Sequence, residues 1–454
     1  MKQKTLIKDM TTGNPLKQLI VFSLPFMLSN LLQQAYSLAD MIIVGQFVGS
    51  VGLAAASNAG EIVVIFLFIA MGFTAAGQII VSQLIGAGNK ERLQSLIGTL
   101  FTLILLLGAV FTVVPLLMGD TLLRLINVPE EAMSEALDYA VVCYWGNIPV
   151  FGYNAISAVL RGMGDSKHPT IFVIIASVLN IGLDLLFVGP MQMGCFGAAL
   201  ATVISQTVAF LISLIFAYRN REAFGFDFKW KSFAPDQQQL RNLLSLGFPI
   251  ALQSCLVSIS MLYVNAMINV YGVVAAAVTA VGNKITIAAT ICCGALNTAG
   301  STIVGQNFAA GKFKRVGLTL LNILGIGLVF TALMSLMLVL FPEQIFGIFD
   351  ANPDVIAMSH IYVPVGVINL LGFATRSAAF AFINGIGFSK LAFIGGLIDG
   401  IVARIGLTVL FGKVLEMGVF GLWLGSALAG HAFLFIGGAY FLFGKWKERK
   451  PIAR

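Results

Sequence analysis

GMGDSK at residues 162–167 returns as GIGFSK at 385–390, and that return decides the fold. The same spacing recurs on either side of it. MGCFG at 193–197 comes back as MGVFG at 417–421, Gln83 and Gly88 as Gln306 and Gly311, and Pro25 as Pro249. Each partner lies 223 or 224 positions on, so the chain is one unit written twice. Duplicated membrane halves are a common way to build a transporter, with a site at their junction and access alternating as one half rocks against the other. Differences between the copies are where the two halves are expected to divide the work.

The 454 residues are 58% hydrophobic and only 10% charged, with a mean hydropathy of +0.94. A soluble domain carries about 25% charged residues. Such a composition needs lipid to cover it, and 48 glycines suit helices packed closely within a bilayer. The net charge of +7 comes from basic residues scattered over loops, so nucleic acid is not an expected partner. Cys143, Cys195, Cys255, Cys292 and Cys293 sit in apolar stretches with neither metal-ligand nor disulfide spacing, and no cofactor is expected. No short apolar segment ending in a small-residue cleavage site is seen.

Apolar stretches of about 20 residues or more can each span a bilayer. They run 16–44, 52–82, 94–118, 137–160, 168–188, 195–217, 242–270, 273–305, 318–341, 358–383, 391–412 and 419–443. The expected fold is therefore all-α and integral to the membrane, with twelve helices in two six-helix bundles. An even number per copy starts both copies on the same side, a parallel repeat about an axis along the membrane normal. The expected boundaries are an N-lobe at 1–217, a cytoplasmic linker at 218–241 and a C-lobe at 242–454. Orientation follows from Lys and Arg. With both termini in the cytoplasm, inner segments hold 22 of the 27 basic residues, among them Lys2, Lys4, Lys90 and Arg454, while outer loops hold Arg124 and Lys413.

Ionisable residues inside the spans mark pathways, relays or buried pairs. They are Asp40, Glu61, Asp184, Lys284, Arg376, Asp399 and Arg404. Gln33, Tyr36, Ser37 and Asp40 form a stripe at helical spacing on span 1. Asn180 and Asp184 share a face of span 5, and Thr202 and Gln206 share a face of span 6. Together these oxygens would suit a small hard cation, or the carboxylates could hold a proton. Alternatively Asp40 and Asp184 cap helices or pair with Arg376 or Arg404. The second copy lacks this group: at an offset of 224, Asn180 falls on Arg404, Asp184 on Thr408 and Asp40 on Val264. Arg404 lies five residues beyond Asp399, about 140° round an ideal helix, so the two are expected on different faces. Gln253, Met261 and Asn265 on span 7 either line a cavity or tie helices together, and His360 and His431 either relay protons or are simply satisfied. Pro25 and Pro249 remove a hydrogen bond from the first span of each half, making Pro25 a candidate hinge.

No soluble-enzyme signature is present: GMGDSK, GIGFSK and GQNFAAGK do not fit the nucleotide-binding loop and read as tight turns. LPF…QQAYSLAD-x₄-G from residue 24, SQLIGAGNK at 82–90, LRGMGDSKHP at 160–169 and NIGLDLLFVG at 180–189 resemble the multidrug and toxic compound extrusion (MATE) family over nearly the whole chain. The resemblance implies a secondary antiporter, not an enzyme. It would export amphipathic organic cations and other drugs through the plasma membrane in exchange for Na⁺ or H⁺, acting as a monomer in membrane lipid. It carries the family's N-lobe cation site, a Na⁺ site if sodium couples, onto Asp40, Asn180, Asp184 and Thr202. It also implies a substrate cavity at Gln33, Tyr36, Ser37, Gln206, Gln253, Met261 and Asn265. Some members bear an acidic residue early in span 7, where this chain has Gln253, which argues against a second cation site in the C-lobe. The alternative is a lipid-linked oligosaccharide flippase of the same superfamily, which would need several inward Arg or Lys residues for pyrophosphate.

Overall fold

The computed structural model describes residues 6–89, 91–126 and 128–452, and every regular element among them is helical. Lys2, Lys4, Lys90 and Arg454, which entered the count of inner basic residues, lie outside the described residues. The first copy comprises α1 (Pro15–Phe47), α2 (Gly49–Gly86), α3 (Glu91–Leu125), α4 (Glu130–Gly162), α5 (Lys167–Val188) and α6 (Gly194–Arg219). A short α7 (Arg221–Phe224) and a 3₁₀ turn at Trp230–Phe233 follow. The second copy runs through α8 (Gln237–Asn269), α9 (Val273–Ala309), α10 (Phe313–Leu340), the short α11 (Pro342–Phe349) and α12 (Pro353–Gly385). Its fifth span is α13 (Ser389–Leu397) and α14 (Arg404–Val409), with π turns at Ile398–Ala403 and Leu410–Val414; its sixth is α15 (Gly418–Ala429) with α16 (Ala432–Phe443).

Among the described residues, eleven spans are long and apolar enough to cross a membrane. The twelfth expected span, α4, is 33 residues long but more polar, with Asn147, Asn154 and three tyrosines along it. Its position explains the polarity. α4 packs against α2, α3, α5 and α6, which cover much of its surface. Asn147 Nδ2 donates to the Phe111 carbonyl of α3 at 2.7 Å, and Asn154 Nδ2 to the Val150 carbonyl of α4 itself at 2.8 Å.

Two compact units result. Unit 1 holds residues up to Lys8 and Leu28–Ala251; unit 2 holds Asp9–Met27 and Leu252–Arg454. The segment 218–241 does not divide them and belongs wholly to unit 1. It is held there by packing and hydrogen bonds. Phe224, Phe226, Phe228 and Phe233 ring Phe101 of α3, and Thr102 Oγ1 donates to the Phe233 carbonyl at 2.6 Å. Each leading helix is shared: α1 changes unit two residues after Pro25, and α8 two residues after Pro249. In unit 2, Arg315 Nη1 donates to the Gly13 carbonyl at 2.6 Å and Asn307 Nδ2 to the Met10 carbonyl at 3.0 Å, fastening the segment that leads into α1.

The repeat is visible in the packing. In unit 1 a Cβ on Gly162 would lie 2.8 Å from Val81, and in unit 2 a Cβ on Gly385 would lie 2.6 Å from the corresponding Val304. Gly77 against Leu100 is matched in the same way by Gly300 against Ile323. The loop glycines agree too: Gly164 and Gly387 take φ of +86° and +68°, values that favour glycine. Close approach through small residues is what holds helices together in lipid, where burial of apolar surface gives no net drive.

Gly162→Ala and Gly385→Ala should each lower stability by about 1–3 kcal/mol through overpacking. Sharing no partners, their effects should add. Thermal melts of the detergent-solubilised single and double variants check both statements.

Candidate functional site

Three helices of unit 1 bring the acidic group together. Asp40 comes from α1, and Asn180 and Asp184 stand one turn apart on α5, both buried. Thr202 and Gln206 come from α6. Asn180 Nδ2 donates to Thr202 Oγ1 at 3.2 Å, which turns the amide oxygen of Asn180 away from that contact. Asp40 and Asp184 lie close enough for each charge to act on the other. Tyr36 sits beside Gln206 and within the field of Asp40, while Gln33 and Ser37 on the same helix are exposed.

Four buried acceptors in this cluster make no hydrogen bond of ordinary geometry, although the Asn180 amide lies close to Asp184: Asp40 Oδ1, Asn180 Oδ1 and both carboxylate oxygens of Asp184. Buried acceptors are almost always satisfied, and leaving one bare costs about 1–3 kcal/mol. Four together make this a candidate position for a cation or a proton. A Na⁺ ion, ligated by hard oxygens, fits Asp40, Asn180, Asp184 and Thr202. A proton on either carboxyl would relieve the same deficit. The alternative in which these aspartates pair with Arg376 or Arg404 does not hold, because both arginines pair with Asp399.

Sequence reasoning missed two neighbours. Tyr139, half-buried on α4, lies within the field of both Asp40 and Asp184, and Cys143 one turn on lies beside it. The signal was the i, i+4, i+8 row Tyr139, Cys143 and Asn147 on the least apolar span.

Unit 2 differs at the matching place. Asp399 and Arg404 were expected on different faces, yet Arg404 Nη2 donates to Asp399 Oδ1 at 3.0 Å. The π turn at Ile398–Ala403 is the reason. Its i→i+5 bonding takes in one residue more per turn than an α-helix, so positions five apart come one above the other. The inserted residue also explains the repeat offset. Ser166 and Ser389, before the turn, differ by 223; Gln192 and Glu416, after it and with φ of +50° and +53°, differ by 224. Arg376 from α12 approaches Asp399 Oδ2 at 3.7 Å and lies over the rings of Phe373 and Phe380.

The remaining site candidates belong to unit 2. Gln253 is buried against Gly396, where a Cβ would lie 2.9 Å from its side chain, while Met261 and Asn265 line a pocket of unit 2. Pro25 lies within an unbroken α1. His431 is satisfied by the Ile368 carbonyl at 3.0 Å, and His360 pairs with Glu343 at 3.3 Å on the surface. Lys284 is exposed over the Phe349 ring.

The fold is that of a duplicated helical transporter, and the MatE family model matches the chain twice, over residues 25–186 and 249–410. The chain belongs to this family, whose members are membrane transporters and not enzymes. Among its relatives, the probable multidrug resistance protein YpnP of Bacillus subtilis is 31% identical, with 97% of this chain and 98% of the relative covered. The probable multidrug resistance protein NorM of Thermotoga maritima is 28% identical over 96% and 94% of the two chains. A MATE crystal structure in the bent conformation superposes with a TM-score of 0.88 at 24% identity, covering 98% of this chain and 97% of that one. At that identity the likeness shows the fold.

Removing Arg404 alone leaves Asp399 buried beside a more distant Arg376, so Arg404→Met should cost about 3–5 kcal/mol. Asp399→Leu together with Arg404→Met should recover most of that loss, read as the melting midpoints of the single and double variants.

Proposed function

We propose that this chain is a secondary active exporter of the plasma membrane, both termini cytoplasmic, that moves amphipathic organic compounds outward in exchange for Na⁺ or H⁺. The four bare oxygens of Asp40, Asn180 and Asp184 carry the reading. The family and the relatives named as multidrug resistance proteins support export of drugs, organic cations among them.

In this mechanism Asp40, Asn180, Asp184 and Thr202 hold the incoming cation, and either carboxylate can take a proton instead. Uncharged or occupied, the pair no longer attracts a cationic substrate at Gln33, Tyr36, Ser37 and Gln206. Like charges held together in low dielectric make the empty pair costly, so binding and release of the coupling cation carry free energy to the substrate. Pro25 supplies the weak point along α1, since its missing N–H leaves the preceding turn one hydrogen bond short. The protein works as a monomer in lipid and needs no cofactor beyond the coupling ion.

Efflux of an amphipathic cationic dye from proteoliposomes, driven separately by a Na⁺ gradient and a pH gradient, tests this. At least one gradient should drive dye, naming the coupling ion. Asp40→Asn and Asp184→Asn should each slow driven efflux roughly tenfold or more, the scale of one lost charge interaction at a partly buried site. No movement under either gradient, or full coupling in the double variant, would overturn the proposal.

A further inference from the structure

We propose that unit 2 carries a ligand site of opposite polarity, at the position the repeat assigns to the cation site, and that it takes the anionic oxygen group of an amphipathic organic molecule. A pocket of about 40 Å³, open on one side, lies among α8, α9, α12 and α15. Its walls include Met261, Val264, Asn265, Tyr362, Trp423 and Ser426. No charged side chain lines it.

The correspondence with unit 1 is residue by residue. At the offset of 224 that relates Pro25 to Pro249, Asp40 becomes Val264, Asn180 becomes Arg404, Asp184 becomes Thr408 and Thr202 becomes Ser426. At 223, Tyr139 becomes Tyr362. Val264, Ser426 and Tyr362 are on the pocket wall. The internal hydrogen bond is kept as well: Asn180 donates to Thr202 Oγ1 at 3.2 Å, and Arg404 Nη1 donates to Ser426 Oγ at 3.3 Å. Both carboxylates of the unit 1 site are gone, and a guanidinium has replaced its amide.

The charge behind the pocket is positive. Arg404 and Arg376 share the single carboxylate of Asp399, and Arg376 stands at 3.7 Å, beyond hydrogen-bond distance. Arg404 is 3% exposed, and its Nε has no acceptor. A buried cation with too few acceptors favours an anion nearby. Ser426 passes that preference to the pocket: its oxygen accepts from Arg404, which aligns the hydroxyl to donate its own proton to a ligand. The amides of Asn265, Asn283 and Asn369 add further donors around the same space. Trp423 gives its Nε1–H to Thr279 at 2.8 Å and so offers the ligand its ring rather than a donor. The ligand this describes has an aromatic or aliphatic body and a carboxylate or phosphate end. Such a group could come from a free solute or a lipid headgroup.

Binding rather than transport tests the site, so the outcome stands apart from the export reading. The full chain in nanodiscs of zwitterionic lipid would be titrated with 2-naphthoate and with the matched 2-naphthylmethylammonium, followed by calorimetry and tryptophan fluorescence. Naphthoate should bind roughly tenfold or more tightly than the ammonium, the scale of a charge-assisted hydrogen bond. Ser426→Ala and Asn369→Ala should each weaken naphthoate about fivefold, as for one ordinary hydrogen bond. Asp40→Asn with Asp184→Asn should leave naphthoate binding intact. Competition by phosphatidylglycerol added to the nanodisc would support the site and assign its anion to lipid; absence of competition alongside tight naphthoate binding would assign it to a solute. Equal affinity for the ammonium, or naphthoate binding untouched by both pocket variants, would overturn the proposal.

Discussion

Inside a bilayer a polar group has no water to turn to, and every feature of this protein follows from how that demand is met. The backbone meets it by running entirely as helix among the described residues. The helices then need another force to stay together, because lipid solvates leucine as well as a neighbouring helix does. Close approach provides it. Gly162 on Val81, and Gly385 on Val304, bring backbones to distances that any side chain at the glycine would prevent. Both contacts occupy the same place in their own unit, so duplicating the sequence duplicated the packing.

Against that background of satisfied polar groups the exceptions stand out. α4 carries more polar residues than any other long span of its unit, yet Asn147 and Asn154 donate to carbonyls. The bare oxygens of Asp40, Asn180 and Asp184 are gathered in one place. The π turn in the fifth span of the second copy has the opposite effect. By admitting one residue it aligns Asp399 beneath Arg404 and stabilises a charge that the fold could not otherwise keep at that depth. One copy thus keeps an excess of acceptors where the other keeps an excess of donors.

Much of this was legible in the chain. Repetition, span count and the polar cluster with two aspartates on spans 1, 5 and 6 follow from hydropathy, spacing and the cost of burying charge. Asn180 and Asp184 could be paired because α5 is a regular helix, for which the i, i+4 rule holds. The same rule failed for Asp399 and Arg404, since it assumes 3.6 residues per turn and the π turn has more. Tyr139 escaped notice because its neighbours in space come from other helices.

What the sequence by itself determined is the kind of protein: two copies of a six-span unit, lipid-covered, with acid concentrated in the first. Those are properties of composition and periodicity, which are local. The tertiary structure alone decided how the units are drawn, with α1 and α8 each changing unit just past a proline and the 218–241 segment bound to α3. It also decided which buried charges are neutralised and which are left bare. Both are matters of distance between residues far apart in the chain, and no local pattern records a distance.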